Sequence, residues 1–541
     1  AVKTETFSLA AVETEKVIEI AYPMGEDVKL WSEFDPALYH LTVALTAGDN
    51  AGKKTVSFGM REFKASGNKF TINGLTTFMR GEGNSAVFPL TGYAYMTKEE
   101  WLDFFGKAQA MGINFFRFHS WTPPEAAFEA ADELGIYMQP EYYAFGGTPF
   151  YVDNLSDTGK VRQRQYVFDE VERILGHLAN HPSFVMLAWG NELSTDSPAK
   201  RDAAAELLAH ARAIDSTRLY GEGSNNNFWN PYFDNRNDYW TTCKTKYDGR
   251  TIKHTRISFS WNDDINGGAI ESLQPNTTHT YNDALVGFEN VPVMNHEAGQ
   301  YQVLPWFDVE IPKYESGIFR ARNLETYRNI MEQNGILNMN EKFSRASARL
   351  SAIGYKADIE TALRSELAGY HLLSIQDFPG QGTAHCGILD NFMDDKPGGF
   401  TKAEYKSFND SVVVLGLLPK LVYTNGETLS AAISVSNYSP TALNALVGSW
   451  TLKNGETILA SGSLDAKDVP QGKLVQLGEF TAPLSAVTEA AKLTVEVDLA
   501  ALDCHNAYDI WVYPASVSTN TGDVLVVDNW SAEARDKLAE G

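Results

Sequence analysis

The chain has 541 residues, with 45 basic against 69 acidic side chains and a formal charge of −24. An excess of that sign repels phosphate backbones, and no dense Lys/Arg stripe offsets it, so nucleic acid and a polybasic membrane attachment are excluded as partners. With 43% hydrophobic and 21% charged residues the composition is far from disorder, and the length fits about three domains.

In chain order, residues 1–62 read as strands: Thr4–Leu9, Val17–Ile20 and the alternating Tyr39–Leu45, separated by Gly, Asp and Pro turns. This predicts a β-sandwich. From residue 63 to 410 short apolar runs alternate with helical periodicity. The predicted buried strands are Phe78–Gly81, Ile113–Phe118, Ile136–Gln139, Val185–Trp189, Leu219–Gly221, Val293–Asn295 and Leu372–Ile375. The predicted helices are Lys98–Met111, Pro124–Leu134, Gln163–Leu178, Ala199–Ile214 and Ser344–Ala368. Strand and helix alternating over this length predict a closed (β/α)8 TIM barrel with crossover helices, interrupted at 223–290 by an Asn/Asp/Gly-rich insertion. Residues 411–515 return to short strands, among them Ser411–Leu417, Thr428–Ser436, Leu446–Leu452 and Leu493–Val497, which predict a second sandwich. In the tail, 516–541, Val524–Val527 reads as a strand and Ser531–Leu538 as a capped helix, the start of a truncated α/β unit or a linker.

Cys243, Cys386 and Cys504 lie far apart without a C-x-x-C pair, so they form neither a disulfide framework nor a zinc motif. No apolar run reaches the roughly 18 residues of a membrane-spanning helix. The chain starts at Ala1 without a signal-peptide pattern, which fits a mature or trimmed chain.

Chemistry concentrates at two strand ends. Trp189-Gly190-Asn191-Glu192 follows the apolar run Val185–Ala188, where a barrel carries its catalytic side chains. Beside Asn191 and Trp189 the carboxyl of Glu192 is withdrawn from water, which suits it to protonate a leaving group. Glu192 reads equally as the cap of the next helix, since Leu193-Ser194-Thr195 permits one. Val293-Met294-Asn295-His296-Glu297-Ala298-Gly299 is a second apolar run ending in a carboxylate. Two carboxylates facing each other across a barrel mouth are what glycoside hydrolysis requires, about 5 Å apart for retention and up to about 9.5 Å for inversion.

The chain resembles glycoside hydrolase family 2, the β-galactosidase, β-glucuronidase and β-mannosidase group, from about residue 25 to about residue 515. The segments that carry the resemblance begin with Leu30-Trp31-Ser32, Pro36-Ala37-Leu38-Tyr39 and Phe58-Gly59-Met60-Arg61-Glu62, which look like the end of the family's immunoglobulin-like β-sandwich domain. Then come Phe70-Thr71-Ile72-Asn73-Gly74 with Arg80-Gly81, Gly112-Ile113-Asn114-Phe115-Phe116-Arg117, Ala131-Asp132-Glu133-Leu134-Gly135-Ile136-Tyr137, His181-Pro182-Ser183 and Gly190-Asn191-Glu192.

The resemblance implies a retaining exo-β-glycosidase with Glu297 as nucleophile and Glu192 as acid/base, a β-galactosidase first and a β-glucuronidase or β-galacturonidase next. Asn191 then matches the group that binds the sugar 2-hydroxyl, and Arg117 an arginine that pairs with the nucleophile. Arg80, His119, Glu141, His279, Tyr281, His296, Gln376 and Phe378 complete the expected substrate-binding set, His279-Thr280-Tyr281 being read as the end of the sixth strand. His119 stands between a sugar contact and a satisfied core imidazole, and Arg117 between the site and a barrel-core ion pair. Trp189, Trp261, Gln300 and Trp306 are lesser candidates, and Asp377 is either a hydroxyl-binding group or a turn residue.

The sequence departs from the best-known β-galactosidases at Glu82-Gly83-Asn84-Ser85, Phe118-His119-Ser120-Trp121 and Glu141-Tyr142-Tyr143-Ala144-Phe145. No cofactor and no catalytic metal are therefore expected. The implied partner is an oligosaccharide or polysaccharide, with a homo-oligomer left open and location in the periplasm or outside the cell. Alternatives are a catalytically silent carbohydrate-binding protein on the same scaffold and an inverting barrel hydrolase. The domain division further suggests a piece of a longer enzyme.

Overall fold

The computed structural model describes residues 4, 6, 8, 16–147, 151, 156–249, 251–256, 274–381, 385–516 and 522–541. The predicted strand Thr4–Leu9 lies largely outside these residues, as do Trp261 and Thr383. The barrel has eight parallel strands: Met79–Asn84, Phe115–Phe118, Tyr137–Gln139, Met186–Asn191, Leu219–Gly221, Trp240–Thr242, Val293–Ala298 and Gly369–Leu372. One sheet runs sixth, seventh, eighth, first, second, third, and a smaller one joins the fifth and fourth to Glu141–Phe145, the continuation of the third strand past Pro140. Bridges Met138↔Phe184, Asn191↔Ser224 and Ser224↔Thr241 complete the ring.

The wall packs on helices whose faces follow the predicted periodicity. In Lys98–Gln109, Thr97 and Glu100 form a reciprocal capping box, and Trp101, Phe104, Phe105 and Ala108 turn to the sheet at helical spacing. Inside the barrel the amino end is filled by Met79, Phe115, Tyr137, Met186 and Met294, packed on Phe63, Phe70 and Ile72 of a three-stranded meander, Phe63–Ser66, Lys69–Ile72 and Leu75–Thr77. A floor of side chains therefore closes one end, and only the carboxyl end is left to build a site. Gly81 is required by this packing, since a Cβ there would lie 2.4 Å from the Phe115 ring.

Several expectations are corrected. Among the described residues 16–62 form no sandwich: only the ribbon Tyr39–Ala47 and Asn50–Phe58 is present, with Leu41, Val43 and Leu45 about half exposed because no second sheet covers them. The sixth strand is Trp240–Thr242, within the Asn/Asp-rich insertion, not the His279–Tyr281 segment. The eighth begins at Gly369, three residues before the predicted start. Val524–Val527 is not a strand, although the helix Ala532–Glu540 forms behind its cap Ser531. Residues 412–513 do form a sandwich, with sheets of three and five strands closing on Val414, Ile433, Leu452, Val495 and Ile510.

Arg80 holds the amino end together. Its Nη2 donates to Glu33 Oε2 at 3.0 Å and its Nε to the Gly112 carbonyl at 2.7 Å, while Asn114 Nδ2 donates to the same Glu33 oxygen at 2.9 Å. Both side chains of the ion pair are about 5% exposed. Removing one partner of a buried pair strands the other charge, at a cost of about 3–5 kcal/mol. Glu33→Gln is accordingly expected to lower the free energy of barrel unfolding by that amount, seen as a lower urea midpoint by tryptophan fluorescence.

Candidate active site

The fourth strand ends in Gly190, Asn191 and Glu192. Gly190 has φ 147° and a Cβ there would lie 2.0 Å from the Ala144 carbonyl oxygen, so no side chain fits. Glu192 follows in the left-handed region, φ 51°, its N–H donating to the Ser224 carbonyl at 2.8 Å. Glu297, near the end of the seventh strand, also has φ 51°. Left-handed backbone is uncommon for glutamate and costs on the order of 1–3 kcal/mol, a strain that collects at functional sites.

Between the two glutamates lies a buried polar network. Arg117 is fully buried and forks onto Glu141, Nε to Oε1 at 2.7 Å and Nη2 to Oε2 at 3.1 Å. Its Nη2 also donates to Asn191 Oδ1 at 2.7 Å, and its Nη1 stands 3.6 Å from Glu297 Oε1. His296 Nε2 is 3.1 Å from Asn191 Oδ1, 3.3 Å from Glu297 Oε1 and 3.4 Å from the donor Arg117 Nη1, so its own role follows the ring's tautomer. The Asn191 oxygen receives Arg117 Nη2, which leaves its N–H2 to meet a ligand. Arg256 Nη1 donates to the carbonyls of His296 and Glu297, at 3.2 and 2.7 Å, and fixes the end of the seventh strand.

The electrostatics follow from burial. Burial pushes the Glu297 carboxyl up to about 7, Arg117 pulls it back, Glu192 pushes it further, and Arg256 pulls again. Burial, with Arg117 next, pushes the His119 imidazole down to about 3, and the same causes hold His296 well below its usual value. His119 Nε2, 3.9 Å from Glu297 Oε1, therefore faces it as a neutral ring and not as an ion-pair partner.

Of the residues predicted from sequence, Arg117, His119, Glu141, Asn191, His296 and the two glutamates come together. Arg117 has Glu141 as its principal carboxylate partner, with Glu297 second. Seven others do not join them. Arg80 is at the amino end of its strand, bonded to Glu33. Tyr281 lies outside the wall, its hydroxyl on Asp358, and His279 sits beside it with its carbonyl on Arg364. Gln376 donates to the Val87 and Asn391 carbonyls beyond the eighth strand, and Phe378 is half-buried in that loop. Trp189 packs in the outer core and Trp306 lies under Arg345.

Sequence reasoning missed Ser224, Asn225, Arg256 and His371. Asn225 Nδ2 donates to Glu192 Oε1 at 3.1 Å, Ser224 Oγ donates to Glu141 at 3.3 Å, and the His371 ring stands edge-on to His296 at 5.0 Å. The strand-end rule, applied to Gly223-Ser224-Asn225 after Leu219–Gly221, would have found the first two. A cavity of about 310 Å³ lined by Asn68, Asn282, Phe288, Val293 and Glu366 opens at the opposite, amino end of the barrel, away from the glutamates. Among the described residues no group of His, Cys, Asp and Glu is arranged to hold a metal ion.

A family profile described as "Glycosyl hydrolases family 2, TIM barrel domain" matches residues 63–261. Residues 63–261 thus carry the barrel domain of glycoside hydrolase family 2. A second profile, a domain of unknown function (DUF8488), matches residues 427–514 of the sandwich. Among curated proteins, the chain is 28% identical over 198 residues to a beta-glucuronidase of Paenibacillus borealis, covering 36% of the chain and 33% of the relative. It is 27% identical over 217 residues to beta-galactosidase BgaC of Bifidobacterium adolescentis (38% and 20% covered) and 23% over 312 residues to the beta-glucuronidase of Mus musculus (56% and 43%). The exo-chitosanase CsxA of Amycolatopsis orientalis superposes with a TM-score of 0.54 at 16% identity over 89% of this chain and 54% of that one. The FMN-binding beta-glucuronidase from Facaelibacterium prausnitzii L2-6 gives 0.51 at 15% over 91% and 65%. The chain spans between a fifth and about two fifths of the length of these curated relatives.

With its ring pushed down to about 3, His119 is expected to stay neutral through pH 5–9. Its imidazole signals, assigned with His119→Asn, should not move over that range in a histidine-labelled NMR titration.

Proposed function

We propose that this chain carries the catalytic machinery of a retaining exo-β-glycosidase that releases a terminal β-linked sugar from an oligosaccharide or polysaccharide. The observation that carries the reading is the pair Glu192 and Glu297, each in left-handed backbone at the carboxyl end of its barrel strand, with Asn191, the residue before Glu192, linked to Glu297 through His296 and Arg117. The carboxylate of Glu297 attacks the anomeric carbon while the carboxyl of Glu192 protonates the departing oxygen. In the second half Glu192 takes a proton from water, which cleaves the glycosyl-enzyme. The cation of Arg117 favours ionised Glu297. Glu192 acts the other way and raises the affinity of Glu297 for a proton. The free N–H2 of Asn191 suits the sugar 2-hydroxyl.

A neutral sugar, a β-galactoside first, is favoured because the arginines the sequence offered for a sugar carboxylate are engaged within the protein. Arg80 is bonded to Glu33 at the far end, Arg117 to Glu141, and Arg256 to two backbone carbonyls. A second reading, a β-glucuronidase, is favoured by the names of the Paenibacillus borealis and Mus musculus relatives. A panel of 4-nitrophenyl β-glycosides, with galactoside and glucuronide side by side, separates the two. Turnover of neither, with Glu192→Gln and Glu297→Gln equally inert, would favour a carbohydrate-binding protein.

On the accepted aryl glycoside Glu297→Gln should abolish turnover, and proton NMR should find the β-anomer of the product first. Glu192→Gln should lose roughly 10²–10⁴-fold on substrates with poor leaving groups. Only ionised Glu297 attacks, and its carboxyl is pushed up to about 7, so kcat/KM should rise with pH through that value. An acid limb near pH 4.5 would remove the burial effect assigned to it.

A further inference from the structure

Three consecutive asparagines, Asn225-Asn226-Asn227, follow the fifth strand and fold back over the segment that carries Glu192. Asn226 Oδ1 accepts the Leu193 N–H at 2.8 Å, and the Asn227 N–H donates to the Leu193 carbonyl at 3.2 Å. Asn227 Nδ2 donates to Thr195 Oγ1 at 2.9 Å, and Asn225 Nδ2 to Glu192 Oε1 at 3.1 Å. Asn225 and Asn227 have φ 54° and 55°, the left-handed region that asparagine enters more readily than other side chains. Asn225 is 2% exposed, and its oxygen is held from behind: it accepts the Cys243 N–H at 3.3 Å and lies 3.1 Å from Cys243 Sγ. With the oxygen so held, the amide can present only its N–H2 to Glu192.

We propose that Asn225 is a positioning residue for proton transfer by Glu192: by donating to Oε1 it reserves Oε2 for the proton that is transferred. The inference rests on the reading of Glu192 as acid/base. In the first step the Oε2–H bond breaks and a bond from that proton to the leaving oxygen forms. The electron pair of the glycosidic C–O bond goes to that oxygen, and Glu297 bonds to the anomeric carbon. In the second step Oε2 regains a proton from water. The Asn225 hydrogen never leaves its nitrogen; it fixes which oxygen reacts and stops the carboxyl from turning. The charges facing Glu192 are Arg117 from the second strand and Glu297 from the seventh, and Asn225 adds a neutral donor from the fifth.

Two variants that perturb the backbone differently test this. Asn225→Gly relieves the left-handed strain and removes the donor, whereas Asn225→Asp keeps the shape and replaces the donor with an acceptor. Both should lose roughly 10–100-fold in kcat/KM on a methyl or 4-methoxyphenyl glycoside, and less than about threefold on the 2,4-dinitrophenyl glycoside of the same sugar, whose leaving group needs no proton. Because a lost donor disfavours the ionised carboxyl, the alkaline limb should move to higher pH, further for Asn225→Asp. Equal losses on both substrates, or an unmoved alkaline limb, would overturn the proposal. If wild type turns over no aryl glycoside, the functional reading fails first. Carbon-13 NMR of carboxyl-labelled glutamate, assigned with Glu192→Gln, then decides on Asn225: Glu192 should titrate at higher pH in both variants, and an unchanged midpoint overturns the proposal.

Discussion

The site depends on the buried fork between Arg117 and Glu141. Neither side chain touches water, and a guanidinium taken out of water is tolerated only where a carboxylate meets it at bidentate geometry and the remaining donors find acceptors. Here those donors reach Asn191, and through it the chain of contacts extends to His296 and Glu297. One ion pair between the second and third strands thereby sets the fourth and seventh at a common height. A lysine could supply the charge at Arg117 but not three directed hydrogen bonds to two strands.

The barrel was legible in the sequence because its signal is repeated: a short apolar run, a turn, then helical periodicity, several times over. What failed has local physical causes. The sixth strand, Trp240–Thr242, spans only three residues in a polar, turn-rich stretch and offers no apolar run to find. The first strand was read as Phe78–Gly81 but runs Met79–Asn84, and that shift moves Arg80 from the reactive end to the closed end. Residues 1–62 carry sandwich composition, yet composition fixes a strand's preference and not its partner. The ribbon therefore stands with Leu41, Val43 and Leu45 uncovered.

The two glutamates were legible because each ends an apolar strand in a carboxylate, the pattern that a barrel's carboxyl end makes meaningful. Their surroundings were not. Asn225 and Ser224 reach the site from the fifth strand, and Arg256 from the insertion; nothing in their spacing relates them to Glu192 or Glu297 until the barrel closes. Arg117 could be read either as a site residue or as a core ion pair. It is both, since the fork onto Glu141 is what aims its remaining donors toward the site.

The left-handed backbone at Glu192 and Glu297 follows from the same geometry. In an extended strand successive side chains point to opposite faces, so a residue and its successor cannot meet. Yet His296 Nε2 and Glu297 Oε1 are 3.3 Å apart, and Asn191, which precedes Glu192, belongs to the same network. A φ of 51° at each glutamate breaks the alternation and turns the carboxyl back over the neighbour that would otherwise lie across the wall. The strand register slips at both places, between Ala188 and Gly190 and between Asn295 and Ala298. The strain is thus the local cost of putting a carboxyl on the same side as the polar network beneath it. The Arg256 bonds to the carbonyls of residues 296 and 297, and the asparagine clamp on residues 192–195, are what hold two unfavourable conformations in place.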